Sequence, residues 1–256
     1  MNVCLRENSM FQDFAYLYDR LMSNVNYNKW ANHIEAIFHK HGKKPKTMLD
    51  LACGTGGVTS IMASRGYQVI GVDISEDMLF VAKEKARKLG LHIPYICQDM
   101  SELTLHRPVD AILCMNEGFN YILNEKKLKQ TFLRLRHYLN PDGIIVFDIA
   151  SQFKLSSVLG NNTMAVNDED VSMIWFNNFD EEKQILELRL TFFERLEDEE
   201  NSLYQRYDET HFQRAWTIEE LTALLIESGF SHVNTYGADS LETPSRRSHR
   251  IYFSAM

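Results

Sequence analysis

Asp50, Gly54, Gly56, Asp73 and Asp99 fall at spacings that a ligand site on an α/β sheet uses. The stretch Met48-Leu49-Asp50-Leu51-Ala52-Cys53-Gly54-Thr55-Gly56-Gly57 puts a carboxylate inside an apolar run and a glycine turn directly after it. A turn running through Ala52, Cys53, Gly54 and Gly56 lets a ligand approach the backbone closely. Gly54, Gly56 and Thr59 come within one residue of the G-x-G-x-x-G pattern of dinucleotide sites, with Thr59 standing where the third glycine would be. Asp50 points elsewhere: a carboxylate just before the turn suits a ligand bearing an ammonium group and repels a pyrophosphate. Asp73 ends the next apolar run, where an acid accepts hydrogen bonds from both hydroxyls of a ribose. Gln98-Asp99-Met100 follows the third run; a carboxylate there accepts from an adenine amino group while apolar neighbours sandwich the ring, with Ile74 and Met78 as the other wall. Any one of these acids alone reads equally well as a helix cap or a solvated loop. Three at successive strand ends point to one ligand, because open α/β sheets bind at the carboxyl ends of their strands.

The elements that must position these residues follow from periodicity. Thr47 to Leu51, Gln68 to Val72, Ile93 to Cys97, Ala111 to Met115 and Gly143 to Ile149 read as strands. Val58 to Arg65, Glu76 to Leu89 and Glu125 to Leu139 carry helical spacing between them, with Ser75 as a cap. Strict alternation predicts right-handed βαβ units and a parallel sheet covered on both faces. After Ser151 the pattern changes to longer runs with period-two alternation. Leu186, Leu188, Leu190 and Phe192 share one face opposite Glu187, Arg189 and Thr191, and acidic turns join Val171 to Phe179, Gln184 to Arg195 and Leu203 to Trp216 into an antiparallel meander. Thr217 and Glu220 form a capping box for a helix that Gly229 closes. Ser231 to Tyr236 and Arg250 to Ala255 are strands that can complete the first sheet. The expected fold is α/β and doubly wound: a mostly parallel, seven-stranded, Rossmann-like sheet formed by residues 1–150 and 217–256, with an antiparallel β insertion at 151–216 covering the site.

Composition narrows the partners. With 45% hydrophobic and 24% charged residues in 256, the chain can bury a full-sized core. A formal charge of -8 offers no attractive field to phosphate backbones, and the basic residues cluster only at Arg246, Arg247 and Arg250, so nucleic acid is not an expected partner. Cys4, Cys53, Cys97 and Cys114 match neither zinc nor disulfide spacing, and three lie in or beside apolar runs, which predicts buried, reduced thiols and no metal. Arg6, Glu7 and Asp13 interrupt the first apolar residues, so a signal peptide is not expected, no run is long enough to span a bilayer, and the expected compartment is the cytoplasm.

The Asp50 to Gly57 stretch, Asp73 and Asp99 together resemble the motifs of the class I S-adenosylmethionine-dependent methyltransferases. Phe14-Ala15-Tyr16-Leu17-Tyr18-Asp19, with Tyr27 and Trp30, is similar to the leading helix of small-molecule members such as the amino-sugar N,N-dimethyltransferases. The resemblance implies that Tyr18, Tyr27 and Trp30 close over the methionine end of S-adenosyl-L-methionine. It extends to Asp110 to Met115 and on to Asn116-Glu117-Gly118-Phe119-Asn120-Tyr121, which implies Met115 beside the transferring methyl and Glu117, Asn120 and Tyr121 on the substrate side. Relatives often carry Asp-Ser where this chain has Glu117-Gly118. Glu209 to Trp216 resembles the end of the insertion that covers the site in this group.

Methyl transfer from a sulfonium is an in-line displacement, so the protein mainly aligns and desolvates the reactants. A base is useful only for an acceptor that arrives protonated. His211 is the candidate base and Arg214 a candidate substrate anchor or structural ion pair, on opposite faces of a regular strand. Two rival readings stay open: a nucleotide-linked dehydrogenase, supported by Gly54, Gly56 and Asp73, and a non-catalytic S-adenosylmethionine-binding module.

Overall fold

The computed structural model describes residues 15, 17–22, 25–168, 170–196, 203–238 and 240–256; Cys4, Phe14 and Tyr16 lie outside them. A helical turn at 17–21 precedes α1 (Tyr27–Lys40). There follow β1 (Thr47–Leu51), α2 (Gly57–Ser64), β2 (Gln68–Asp73), α3 (Glu76–Lys88), β3 (Tyr95–Cys97), β4 (Val109–Cys114), α4 (Glu125–His137) and β5 (Leu139–Ala150). A wide, π-type helical turn (Lys154–Leu159) leads into β6 (Thr163–Asn167), β7 (Val171–Asp180), β8 (Ile185–Arg195) and β9 (Tyr204–Arg214). The chain returns through α5 (Ile218–Glu227), β10 (Asn234–Gly237) and β11 (Arg250–Ala255).

The first sheet has seven strands in the order β10-β11-β5-β4-β1-β2-β3, parallel from β5 to β3 and antiparallel where β11 meets β5 and β10. The four strands β6 to β9 form a separate antiparallel sheet. This is the doubly wound, Rossmann-like arrangement with an antiparallel addition that the periodicity predicts.

Alternation along each strand sends side chains into two cores. Leu49 and Leu51, Ile112 and Cys114, Ile145, Phe147 and Ile149, and Ile251 and Phe253 pack on the α4 and α5 side. Met48, Ala111, Leu113, Met115, Ile144, Val146 and Tyr252 pack on the other side, against Ala31, Ile34 and Ile37 of α1 and Val58 and Met62 of α2. Each such fully buried side chain contributes roughly 1.5–3 kcal/mol. The same parity puts Asp50, Asp148 and Arg250 on the α1 and α2 side.

Side chains cap four of the five helices: Asn26 accepts from Lys29 N–H, Ser75 from Met78 N–H and Asn124 from Lys127 N–H, and Thr217 and Glu220 complete the capping box. Helix α2 differs. It starts from Gly56, which has no side chain to cap it, and the Thr59 N–H in its first turn reaches the Asp50 carboxylate instead.

Several expected boundaries shift. β3 begins at Tyr95 rather than Ile93, because Pro94 has no N–H to donate. α4 ends at His137, and β5 starts at Leu139 rather than Gly143. Between the pairs Val109↔Leu139 and Ala111↔Ile144 the strand bulges outward, which accommodates Pro141. β6 was not expected from periodicity: all five of its residues are exposed, so no alternation marks it. Cys97 is also exposed, not buried as expected, because β3 is a three-residue strand at the sheet edge; Cys53 is half-buried and Cys114 buried.

Candidate active site

β1 lies between β2 and β4, and the chain crosses the sheet from β3 to β4, so the crevice of the fold opens at the carboxyl ends of β1 and β4. Both exits are left-handed at residues other than glycine: Ala52 at φ 49° after β1, and Asn116 and Glu117 at φ 63° and 69° after β4. Such conformations cost on the order of 1–3 kcal/mol each and concentrate where a ligand is held.

A cleft occupies this place. Asp50, Cys53, Gly54 and Met115 line its base, and Tyr18, Tyr27, Trp30 and Asn116 its walls. Tyr27 and Trp30 meet edge to face with centroids 5.2 Å apart, and Asn116 Nδ2 donates to Tyr18 Oη at 3.0 Å. Thr55 Oγ1 donates to Asp19 Oδ1 at 2.6 Å and Lys85 Nζ donates to the same oxygen at 2.7 Å, so the 17–21 turn is tied over the glycine loop. The aromatic residues expected to close over a methionine group are thus brought together, from two helical segments rather than the one anticipated.

The glycines differ in what they make room for. A side chain on Gly56 would stand 2.7 Å from Tyr95 Oη at φ +74°, so chain packing alone demands glycine there. At Gly54 nothing lies within 4 Å of a would-be Cβ, and the bare backbone faces open space.

Asp50 is buried and accepts from Thr59 Oγ1, the residue in place of the third glycine. Burial pushes its carboxyl up to about 7, against the Thr59 hydrogen bond that lowers it, with Asp73 nearby raising it further. The folded chain therefore binds this proton more tightly than the unfolded one, for which the ordinary value is 3.8. Stability from this group is complete below that value and is lost as pH rises towards 7. Asp50→Asn is expected to stabilise the ligand-free protein at pH 8 by about a few kcal/mol in order of magnitude, raising its melting temperature there and leaving it unchanged near pH 4. Equal melting of parent and variant at pH 8 contradicts this.

Asp73 Oδ2 accepts from Gly54 N–H at 2.8 Å and Oδ1 from Ser75 N–H at 2.9 Å, which fixes the carboxylate across the glycine turn. Ile74, 68% exposed, and the half-buried Met78 follow it. Asp99 caps Ser101 through Oδ1, and its Oδ2 pairs with Lys127 Nζ at 3.0 Å, so the adenine partner expected from sequence is already held by a cation. The Gln98 amide donates to Thr104 Oγ1 and accepts from Thr104 N–H, so the side chain staples its own loop. Met100 packs onto the core.

On the far side of the cleft, inward-facing Tyr207, Glu209, His211 and Gln213 are buried or half-buried, while Arg206, Asp208, Thr210 and Phe212 are exposed, which settles the orientation of β9. His211 packs edge-on against Tyr121, centroids 5.9 Å apart. Tyr121 is 47% exposed despite the protein around it, as a cleft wall is. Burial holds His211 below the ordinary 6.5, so its ring is neutral at pH 7. Burial raises the Tyr18 phenol, and the Tyr27 and Tyr121 hydroxyls raise it further, which places Tyr121 next to the cleft wall.

Two other substrate expectations are corrected. Asn120 is buried; its amide donates to Ala150 O and Arg214 O and accepts from Ala150 N–H, so it braces the insertion. Arg214 donates to Leu123 O, pairs with Glu220 and stacks at 3.7 Å on Trp216; its guanidinium is structural. Glu117 is buried directly after the cleft-lining Asn116; Lys154 Nζ donates to its Oε1 at 2.5 Å and Arg250 Nη2 lies 3.5 Å from the same oxygen. Sequence reading missed Lys154, Asp148 and Arg250; the signal available was a charge inside each of two apolar strands.

The Methyltransferase domain family matches residues 48–143, from β1 to the start of β5. "Putative methyltransferase YqeM" of Bacillus subtilis is 36% identical over 250 residues, covering 96% of each chain. A crystal structure of an S-adenosylmethionine-dependent methyltransferase from Clostridium acetobutylicum superposes with a TM-score of 0.86 at 32% identity, covering 95% of this chain and 97% of that one. The chain belongs to the S-adenosylmethionine-dependent methyltransferases. A sugar N,N-dimethyltransferase of Streptomyces fradiae is 28% identical over about half of each chain. The methyltransferase also has features that fit its cofactor on their own account: open space at Gly54, a carboxylate lining the cleft and three aromatic side chains beside it. Among its described residues no cluster of His, Cys, Asp and Glu could hold a metal ion, and no helix is long and apolar enough to cross a membrane.

Proposed function

We propose that this methyltransferase acts on a small molecule whose accepting atom enters beside the Tyr121–His211 pair, with His211 taking the proton that atom loses. The observation that carries the reading is the placement of a neutral histidine on the inward face of β9, in contact with Tyr121 at the edge of the cleft. When bound, S-adenosylmethionine supplies a methyl group on a sulfonium, already joined to its leaving group. Asp73 would hold the ribose hydroxyls and Asp50 the ammonium, and the positive end of α2 would favour the carboxylate. Tyr18, Tyr27 and Trp30 exclude water from the methyl, which strengthens each of these charge contacts.

An amine acceptor is favoured over a hydroxyl. Glu209 shares the inward face with His211, and its carboxyl is raised by burial; His211 Nε2 lies 4.0 Å from it, on a ring that is neutral at pH 7. A protonated amine would satisfy it and pass its proton to His211. The test is transfer of a labelled methyl from S-adenosylmethionine to a metabolite pool divided into amine and hydroxyl fractions, with Asp73→Ala as the inactive control. Label in the hydroxyl fraction alone removes the amine reading. Heat on titration with NAD and none with S-adenosylhomocysteine removes the cofactor assignment.

A further inference from the structure

Four charges from four separated segments meet beneath the cleft wall. Arg250 opens β11 and its side chain, 18% exposed, points to the α1 side of the sheet; Nη1 lies 2.7 Å from Oδ2 of the fully buried Asp148 on β5. Glu117 and Lys154 complete a neutral set of two carboxylates and two cations. Arg250 has two further contacts that ion pairing does not require. Nη2 donates to Asn116 Oδ1 at 3.2 Å, and the guanidinium carbon stands 4.5 Å from the centroid of the Trp30 ring. Asn116 uses its remaining amide group on Tyr18 Oη. Trp30, Tyr18 and Asn116 all line the cleft.

We propose that Arg250 is a positioning residue for the cofactor cleft: one planar cation, fixed by Asp148, sets the Trp30 wall by stacking and the Tyr18 wall through the Asn116 amide. The inference rests on the cleft being the cofactor site. The chemistry requires arginine, because lysine keeps the charge but has neither the flat face for Trp30 nor a fork that reaches Asp148 and Asn116 together. Asn116 suits the relay for a second reason: it adopts the left-handed turn at φ 63° more readily than most residues.

The test is dissociation of S-adenosylhomocysteine from the full chain, followed by stopped flow, for the parent, Arg250→Lys, Asn116→Gly and the double variant. Glycine preserves the turn and deletes the amide. Walls that are present but loosely held release ligand faster without slowing its arrival, so each single variant is expected to raise koff about tenfold with kon unchanged. The double variant is expected to resemble Arg250→Lys rather than the product of the singles, because losing the arginine fork already releases the Asn116 amide that Asn116→Gly deletes. Multiplied effects, or koff within twofold of the parent in Arg250→Lys, overturn the inference. A lowered bindable fraction with unchanged koff, the mark of a merely structural ion pair, overturns it as well. If Arg250→Lys fails to fold, an unchanged koff in Asn116→Gly is sufficient to overturn it. The parent's own binding reports separately on the cofactor assignment.

Discussion

Asp73→Ala is expected to lose affinity for S-adenosylhomocysteine by roughly two to four orders of magnitude, from two charge-assisted hydrogen bonds of about 1.5–3 kcal/mol each. The carboxylate has two duties. Its oxygens already accept backbone N–H groups, from Gly54 and Ser75 with Ile74 contributing, and the lone pairs left over are for the ribose hydroxyls. Alanine removes the ligand contacts and frees the glycine turn, whose N–H groups are then unsatisfied until water reaches them. Asp73→Asn separates the duties: an amide keeps the shape and one acceptor, so it should fall between parent and alanine. Calorimetry provides the affinities, and melting without ligand reports how much of the loss is structural. Binding by Asp73→Ala within threefold of the parent would falsify the ribose assignment.

His211→Gln is expected to lower kcat on an amine acceptor by about 10²–10⁴ while changing KM little, since a positioned base acts in the transition state. Burial holds the imidazole below 6.5, so the parent's rate should be flat above pH 7 and fall only on a limb below that value, where the ring gains its proton. The glutamine variant has no such group, so the limb should vanish with the rate. A variant that keeps both the rate and the acid limb leaves His211 as the packing partner of Tyr121 and nothing more. Measuring kcat from pH 5 to 9 in parent and variant distinguishes the two.

Much of the cofactor half was legible in the chain. Apolar runs alternating with helical spacing give the β1 to β5 order, and Asp50, Asp73 and Asp99 fall at or beside the carboxyl ends of the three neighbouring strands β1, β2 and β3. Ser75 and the Thr217–Glu220 box act as the caps their spacing implies. The acceptor half was less legible. Asn120 and Arg214 are polar residues near a cleft, and a sequence does not say whether their donors serve a ligand or the chain's own carbonyls; here Asn120 serves the Ala150 and Arg214 carbonyls and Arg214 serves that of Leu123. Lys127 on Asp99 is a contact between an exposed helix and a loop, with no periodic trace. Asp148 and Arg250 did leave a trace, since a charge within Ile144 to Ala150 or at the head of the apolar β11 needs a partner, but nothing local says that the two find one another.

The antiparallel seat of β11 against β5 has a consequence for biosynthesis. A ribosome makes Asn116 well before Arg250, 134 residues later, so at roughly 5–20 residues per second the emerging chain waits on the order of ten seconds for the brace. During that interval β5 is an edge strand, and its unpaired backbone, with Ile145 and Phe147 beside it, is open to other chains. Nascent chains stalled before residue 250 should therefore be cut rapidly by protease and recruit holdase chaperones, whereas released full-length protein should resist both; equal resistance of the two would place the closing of the sheet earlier in synthesis.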